Sequence, residues 1–284
     1  MQLIAAVWYN FNDVESDKSA FVQMKQCGKE VNLYMIKIAV VGCTGKLGSA
    51  IMKNALKSKD VDVCYAIARK GNQHVGKTIS ELIGGKSDLP IIDDIEAASG
   101  CDIYIDCTNA ETFMSSSYFK YEKMKKPLII ATTAFSIEDI EKINLLATNI
   151  PIFMTGNFSV ALHNFIETVK FYARKISLDT DIQIVEYHHN QKKDAPSGTA
   201  LLIKNALLEV TNTINVDKIS ICSIRGGNIF GEHEVIFANC KDEVVTFKHQ
   251  ASSREPFTDG AIEVSKWTIN QTNGLYDMDD FCNA

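Results

Sequence analysis

The sequence predicts an α/β protein in which a Rossmann-type parallel sheet domain is joined to a smaller α+β domain. Two observations lead to this prediction. Between residues 36 and 158, short apolar runs alternate with amphipathic helical segments, a pattern typical of parallel strands linked by right-handed crossovers. Between residues 219 and 251, three strand-like runs follow one another without an intervening helix, which favours a largely antiparallel second sheet.

The first half of the chain contains the parallel-sheet pattern. Its strands are predicted at 36–42, 61–68, 101–108, 127–133 and 151–158, and its helices at 46–58 and 136–147. The strands are nearly continuous apolar runs, as expected where both faces of a sheet are buried. Ser136 is the expected N-cap of the second helix, because Glu138 and Asp139 then occupy the first turn, where acids are favoured.

The second half begins with a long predicted helix. The expected order is helix 159–176, strand 181–190, helix 197–210, strands 219–225, 233–239 and 243–251, and a last helix within 261–278 that Gly274 terminates. Helices cover one face of the predicted sheet. The alternating pattern of the last strand suits burial of the other face in an oligomer.

Composition excludes several classes of protein. The chain has 284 residues, a formal net charge of -6 and a pI near 5.6, which give no overall attraction to nucleic acid or anionic membranes. No apolar run approaches the roughly 18 residues of a membrane span. The 8 cysteines are scattered without a CxxC pair, which argues against a zinc ribbon or disulfide framework and predicts a cytoplasmic protein.

Residues 1–34 differ from the rest of the chain. They lack the basic and apolar regions of a signal peptide, and their acidic residues argue against a transit peptide. Met35 directly precedes the first strong strand. We therefore expect Met35 to be the functional start and residues 1–34 to be an accessory or mis-assigned leader.

A glycine-rich segment, VVGCTGKLGSA, connects the first strand to the first helix. Gly42 suits a tight turn, Gly45 allows backbone N–H groups to approach a pyrophosphate, and Gly48 allows close packing of helix on strand. The helix N-terminus then stabilises phosphate charge. Strand, glycines and helix in this order predict a dinucleotide site; the alternative is a purely structural turn.

The end of the second strand bears on the choice of nucleotide. An acid about 20 residues after the glycines usually binds the ribose 2′-hydroxyl of NAD. Here Ala68 is followed by Arg69 and Lys70, and cations favour a 2′-phosphate. NADPH is therefore expected to be accepted at least as well as NADH, unless these residues form only a solvated basic turn.

The segment HHNQKKDAPSGTA (188–200) gathers groups that transfer protons. On a strand, His188 and His189 would point to opposite faces, and no third ligand lies at metal spacing, so we predict no metal site. Lys192 is expected to return toward His188. Free N–H groups at Gly198 and Thr199 would bind a carboxylate. A reductase of a small acidic substrate is the function these features predict.

Several of the same segments resemble those of the 4-hydroxy-tetrahydrodipicolinate reductase (dihydrodipicolinate reductase) family. The most specific is HHNQKKDAPSGTA, and GCTGKLG, GNFSVAL, RGGNIFGEH, ASSR and GLYDM also match in order. The resemblance covers the chain from about Met35 onward. It implies NAD(P)H-dependent reduction of 4-hydroxy-tetrahydrodipicolinate to tetrahydrodipicolinate in diaminopimelate and lysine biosynthesis, by a homotetramer assembled through the second sheet.

The resemblance also implies roles for individual residues. His188 and Lys192 would be the proton donors, and the small dicarboxylate substrate would be held by His189, Gly198, Thr199 and Thr133. The implied cofactor contacts are Gly42, Cys43, Thr44, Gly45, Lys46, Leu47, Arg69, Ala131, Thr132, Thr133, Thr155, Gly156, Asn157 and Phe158. Residues 35–158 with 255–284 would form the dinucleotide domain, and 159–254 the substrate-binding and oligomerisation domain.

Departures from the family pattern define what needs testing. Ala131 and Ala134 stand where the family has glycines, and an alanine is unfavourable if the backbone requires positive φ. Asn190 replaces a residue that is often arginine. Two alternatives remain open: a semialdehyde or homoserine dehydrogenase, which would need a different catalytic set, and a non-catalytic cofactor-sensing regulator, against which His188 and Lys192 argue.

Overall fold

The computed structural model describes residues 35–177, 179–210 and 219–284. The leader predicted at 1–34 lies outside these residues. Within the described ranges, no helix is both long enough and apolar enough to cross a membrane.

A parallel sheet of seven strands forms the first layer. Its strands are β1 (Ile36–Val41), β2 (Val61–Ile67), β3 (Ile91–Ile92), β4 (Ile103–Asp106), β5 (Leu128–Ile130), β6 (Pro151–Met154) and β11 (Gly274–Tyr276), in the spatial order β11-β6-β5-β4-β1-β2-β3. Every neighbouring pair is parallel. The chain order reverses beside β1, which places the glycine-rich segment after β1 at the crevice where ligands bind in such sheets.

Helices cover both faces of this sheet because each strand buries alternate side chains on opposite sides. The helices are α1 (Lys46–Ala55), α2 (Ile79–Ile83), α3 (Ala110–Thr112), α4 (Tyr118–Met124), α5 (Ile137–Ala147), α8 (Glu255–Thr268) and α9 (Met278–Cys282). Ile38 and Val40 of β1 belong to the hydrophobic core that contains α1 and α8. Ala39 and Val41 belong to the core on the opposite face, which contains α4 and α5.

The second sheet is mixed and has four strands. They are β7 (Asp181–His188), β8 (Ile219–Arg225), β9 (Gly231–Ala238) and β10 (Val244–Ala251), in the order β10-β9-β7-β8. Only the β7–β8 pair is parallel. Helices α6 (Val160–Ala173) and α7 (Gly198–Val210) pack their apolar sides on one face of this sheet. The predicted fold class is therefore confirmed.

The C-terminal segment differs from the prediction. The last long helix begins at Glu255 and ends at Thr268, well before Gly274. Gly274 does not terminate a helix but begins β11, which pairs with β6 at the edge of the first sheet. The helical period of 261–268 was correctly recognised, but a three-residue strand is too short to show a period of its own.

Candidate active site

The glycine-rich segment has the geometry of a nucleotide cradle. Gly42 has φ +80, and a Cβ atom built on it would lie 2.9 Å from the backbone C and O atoms of Cys107. A Cβ built on Gly48 would lie 2.5 Å from the Gly42 oxygen. Gly45 precedes α1, and no side chain caps this helix. Its N-terminal N–H groups are therefore available to an anion, as a pyrophosphate requires.

The other loop residues predicted to contact the cofactor surround this cradle. Cys43 is buried, and burial raises the pKa of its thiol to about 12, so it remains a neutral thiol. Asn72 donates a hydrogen bond from Nδ2 to Thr44 Oγ1 (3.4 Å) and from its backbone N–H to the Arg69 oxygen (3.1 Å). Arg69 itself is exposed, two residues after the end of β2. Asn72, which we did not predict, thus ties the Arg69 turn to the glycine segment.

Two loops, after β5 and after β6, lie against each other. A Cβ atom built on Gly156 would lie 2.9 Å from Thr133 Cγ2, which makes the predicted segments 131–133 and 155–158 neighbours. Ala134 has φ +66, so the left-handed conformation that a glycine favours does occur there. Phe158 is buried in the core with α1 and α8, and any contact with a cofactor would have to come from its main chain.

A cavity of about 200 Å³ lies at the end of β7. It is lined by Asn157, Leu162, His188, His189, Lys192, Thr199, Phe230, Gly231, His233, His249, Ala251, Arg254 and Phe257. Four residues predicted to bind or protonate substrate, His188, His189, Lys192 and Thr199, are thus brought together. Gly198 precedes Thr199 at the first residue of α7.

The expectation that only one histidine of the pair faces the cleft is wrong, because both line the cavity. We predicted a strand that continues to Asn190, but β7 ends at His188. The Lys192 N–H then donates to the His189 oxygen (3.1 Å), which closes a turn. The alternation of faces ends with the strand, and the turn returns both His189 and Lys192 to the cavity.

Glu186 is the buried acid of this site, with no solvent exposure. Its Oε1 accepts hydrogen bonds from Arg225 Nη2 (2.8 Å) and from the Ser197 N–H (3.1 Å), and its Oε2 contacts His188 Nδ1. Burial alone would raise the pKa of Glu186, but hydrogen bonds from Arg225, Ser223 and the Ser197 N–H, in that order of importance, lower it to about 2. Glu186 is therefore ionised beside the imidazole. We did not predict it, because its partners come from β8 and α7.

The polar residues of the 192–197 turn have separate partners. Ser197 caps α7, accepting the Ala200 N–H at Oγ (3.2 Å). Asp194 pairs with Lys192 Nζ (2.7 Å). Arg225 Nη2 also donates to the Asp194 backbone oxygen (2.6 Å). The same arginine therefore binds both the turn and Glu186.

A row of imidazoles runs from His188 across the sheet. The ring centroids of His188 and His233 lie 5.4 Å apart, and those of His233 and His249 lie 6.4 Å apart. Burial, followed by the charges of neighbouring groups, lowers the pKa of His233 to about 4, so it is neutral near pH 7. His249 also lines the cavity, since β10 pairs it with His233.

Three of these residues could also form a metal site. Ligand atoms of Glu186, His188 and His233 lie within 4.8 Å of one another. Donor spacing along the sequence does not reveal this cluster, because its third donor, His233, lies on β9. However, the Arg225 guanidinium already neutralises Glu186, so the donor set suits proton transfer better than a cation.

The chain is similar to known proteins along both halves. Residues 36–158 match the model of the family described as dihydrodipicolinate reductase, N-terminus, and residues 160–282 match dihydrodipicolinate reductase, C-terminus. A 4-hydroxy-tetrahydrodipicolinate reductase from Caldanaerobacter subterraneus is 36% identical over 261 residues, covering 87% of this chain and 98% of that protein. One from Buchnera aphidicola is 35% identical over 263 residues, covering 86% and 97%.

Solved structures agree in fold. A dipicolinate-bound dihydrodipicolinate reductase from Paenisporosarcina sp. TG-14 has a TM-score of 0.67 at 21% identity, covering 86% of this chain and 97% of that one. A probable dehydrogenase from Thermotoga maritima has a TM-score of 0.58 at 9% identity, covering 87% and 93%. At these identities the similarity establishes the fold alone.

Proposed function

Because the chain belongs to the dihydrodipicolinate reductase family, we propose that it catalyses the NAD(P)H-dependent reduction of 4-hydroxy-tetrahydrodipicolinate to tetrahydrodipicolinate. This is a step of diaminopimelate and lysine biosynthesis. The substrate gains a hydride and a proton and loses water. The observation that supports this most directly is the cavity in which His188, His189, Lys192 and Thr199 meet, since it combines proton donors with groups that bind carboxylates.

The chain's own residues bind the substrate and supply protons. The first N–H groups of α7, at Gly198 and Thr199, bind one substrate carboxylate together with His189, and Thr133 approaches from the neighbouring loop. His188 delivers a proton from its ring, and Lys192 is the second donor. Lys192 Nζ pairs with Asp194 (2.7 Å), a contact that an anionic substrate would replace. When bound, the nicotinamide cofactor supplies the hydride.

NADPH is the cofactor we propose to be accepted at least as well as NADH. The glycine segment fits a dinucleotide, because side chains at Gly42 or Gly48 would collide with the main chain of Cys107 or Gly42, and no side chain caps the N-terminus of α1 that would face the pyrophosphate. At the end of β2, Ala68 is buried and leaves no carboxylate to repel a 2′-phosphate, while Arg69 and Lys70 are exposed. An exposed guanidinium is the group best suited to a phosphate at this position.

We assign residues 35–158 and 255–284 to dinucleotide binding, because β11 joins the same sheet as β1. Residues 159–254 form the substrate-binding and oligomerisation part. A homotetramer is proposed through the face of the second sheet that α6 and α7 leave uncovered, where Ile224 and Val244 are exposed (38% and 63%). We propose a cytoplasmic enzyme without a nucleic-acid partner, in keeping with the net charge of -6.

The test is NADPH oxidation with freshly generated 4-hydroxy-tetrahydrodipicolinate. The wild type should turn over, and the His188→Ala, Lys192→Ala double variant should lose at least about 100-fold in kcat, because general acid catalysis contributes about that much or more. Lys193→Ala is the matched control, since Lys193 is exposed beside Lys192 and should retain full activity.

Each other outcome contradicts a different part of the proposal. An inactive wild type that still binds NADPH would favour the cofactor-sensing regulator. An active double variant would refute the assigned roles of His188 and Lys192 and leave the reaction itself intact.

A further inference from the structure

Glu186 is a fully buried carboxylate that neither binds substrate nor lines the cavity. It lies on β7 two residues before His188, so both side chains extend from the same face of the strand. A buried charge is unfavourable unless other groups pair with it. The groups that pair with Glu186 therefore indicate what its charge does.

The two oxygens of Glu186 have different partners. Oε1 is held from two directions, by Arg225 on β8 and by the Ser197 N–H at the start of α7. Oε2 is directed at His188 Nδ1. Because Oε1 is fixed by two separate elements, the carboxylate cannot rotate away from the imidazole without losing both hydrogen bonds.

The opposite end of the His188 ring faces the cavity. A Cβ atom built on Gly231, which lines the cavity, would lie 3.2 Å from His188 Nε2. Nδ1 lies against the Glu186 carboxylate, so a hydrogen on Nδ1 would be directed there and Nε2 would be the nitrogen left to exchange a proton with a substrate. The ring orientation and the tautomer are then set by one contact.

We propose that Glu186 is the positioning residue of this reductase: it holds His188 with Nδ1 protonated and Nε2 presented to the substrate, and it stabilises the imidazolium. This inference rests on the proposed function of His188. It concerns a residue that acts only through the histidine, with Arg225 and Ser197 fixing Glu186 in turn.

The contact between Glu186 and His188 affects the protonation of His188, because the other groups around the ring oppose it. Burial lowers the pKa of His188, and the cations Lys192 and Arg225 lower it further, whereas Glu186 opposes them. His233 faces the ring from β9, with its own pKa lowered, and it does not add a negative charge. Removal of the Glu186 charge should therefore make His188 harder to protonate.

The experiment uses Glu186→Gln in the full-length enzyme, since glutamine keeps an acceptor for Arg225 and Ser197. We expect kcat to fall at least about tenfold, with KM changed less than about threefold. The limb of the kcat/KM pH profile that reports His188 should move to lower pH. Glu232→Gln is the matched control, because Glu232 pairs with Lys248 on β10 (2.7 Å) and should leave the profile unchanged.

Histidine nitrogen NMR keeps the test independent of activity and of the variant's folding. In the wild type, neutral His188 should carry its hydrogen on Nδ1, and in Glu186→Gln it should titrate at lower pH. Neutral His188 protonated on Nε2 would overturn the proposal, and so would a variant with the wild-type pH profile. If the wild type does not turn over but shows the Nδ1 tautomer, the proposed function fails while the positioning by Glu186 stands.

Discussion

Ala134→Gly should stabilise this protein, although the change removes a methyl group and adds a flexible residue. Ala134 has φ +66, in the left-handed region where an L-residue with a Cβ atom is strained by about 1–2 kcal/mol. Glycine relieves that strain but gains about 0.5–1 kcal/mol of conformational freedom in the unfolded chain. The difference predicts a free energy of unfolding higher by about 0.5–1 kcal/mol.

The assay is calorimetric unfolding of wild type and variant without cofactor. For a domain of this size, the expected gain corresponds to a Tm higher by about 1–4 °C. Ala131→Gly is the matched control in the same loop, since Ala131 is not among the described residues with positive φ. There glycine relieves no strain and should lower stability by about 0.5–1 kcal/mol.

The sign of the change in Tm shows whether backbone strain is stored at Ala134. A Tm of Ala134→Gly equal to or below that of the wild type would refute the argument that strain is stored at this position. A gain of the same size in Ala131→Gly would show instead that flexibility of the whole loop, and not the φ angle of one residue, sets the effect.

Three further outcomes are expected. In Gly231→Ala, the new Cβ would lie 3.2 Å from His188 Nε2 and displace the ring, so kcat should fall about tenfold; Gly226→Ala, whose Cβ would have 4.0 Å of room, is the control, and equal activities would contradict the reasoning. The pKa of His233 in the folded state is about 4 against an ordinary 6.5. The contribution of the neutral histidine to folding stability is therefore fully present above about pH 6.5 and is lost as pH falls toward 4. Between pH 7 and pH 4.5, the free energy of unfolding measured in urea should therefore fall more for the wild type than for His233→Gln, by on the order of 2 kcal/mol. Equal decreases would count against a neutral buried histidine. Arg69→Ala should raise the KM for NADPH about tenfold or more while leaving that for NADH unchanged; an unaltered preference would mean that Arg69 is a solvated turn residue.

Local patterns in the sequence predicted the glycine segment and five strands of the first sheet, but not β3 or β11. The strand before Gly42 and the helix after it are neighbours in the chain, and the steric requirements of Gly42 and Gly48 arise within this one segment. The same holds for the capping of α7 by Ser197. Where sequence neighbours are also spatial neighbours, periodicity and turn chemistry are informative.

The substrate half depended on contacts that sequence spacing does not contain. Glu186 is ionised because Arg225 reaches it across the β7–β8 pair. His233 and His249 lie together only through the register of β9 and β10. His189 does not follow the predicted alternation of faces because β7 ends two residues earlier than predicted.

The pairing of β11 with β6 has a consequence for synthesis of the protein. Residues 274–276 leave the ribosome after both sheets' other strands, so a nascent chain carries β6 (Pro151–Met154) as an open, apolar edge from its own synthesis until β11 is added. Such an edge is a template for pairing with other chains. This protein should therefore benefit from a chaperone that shields nascent strands, or from fast completion of translation. The benefit should be larger than for a protein whose edge strand is made early.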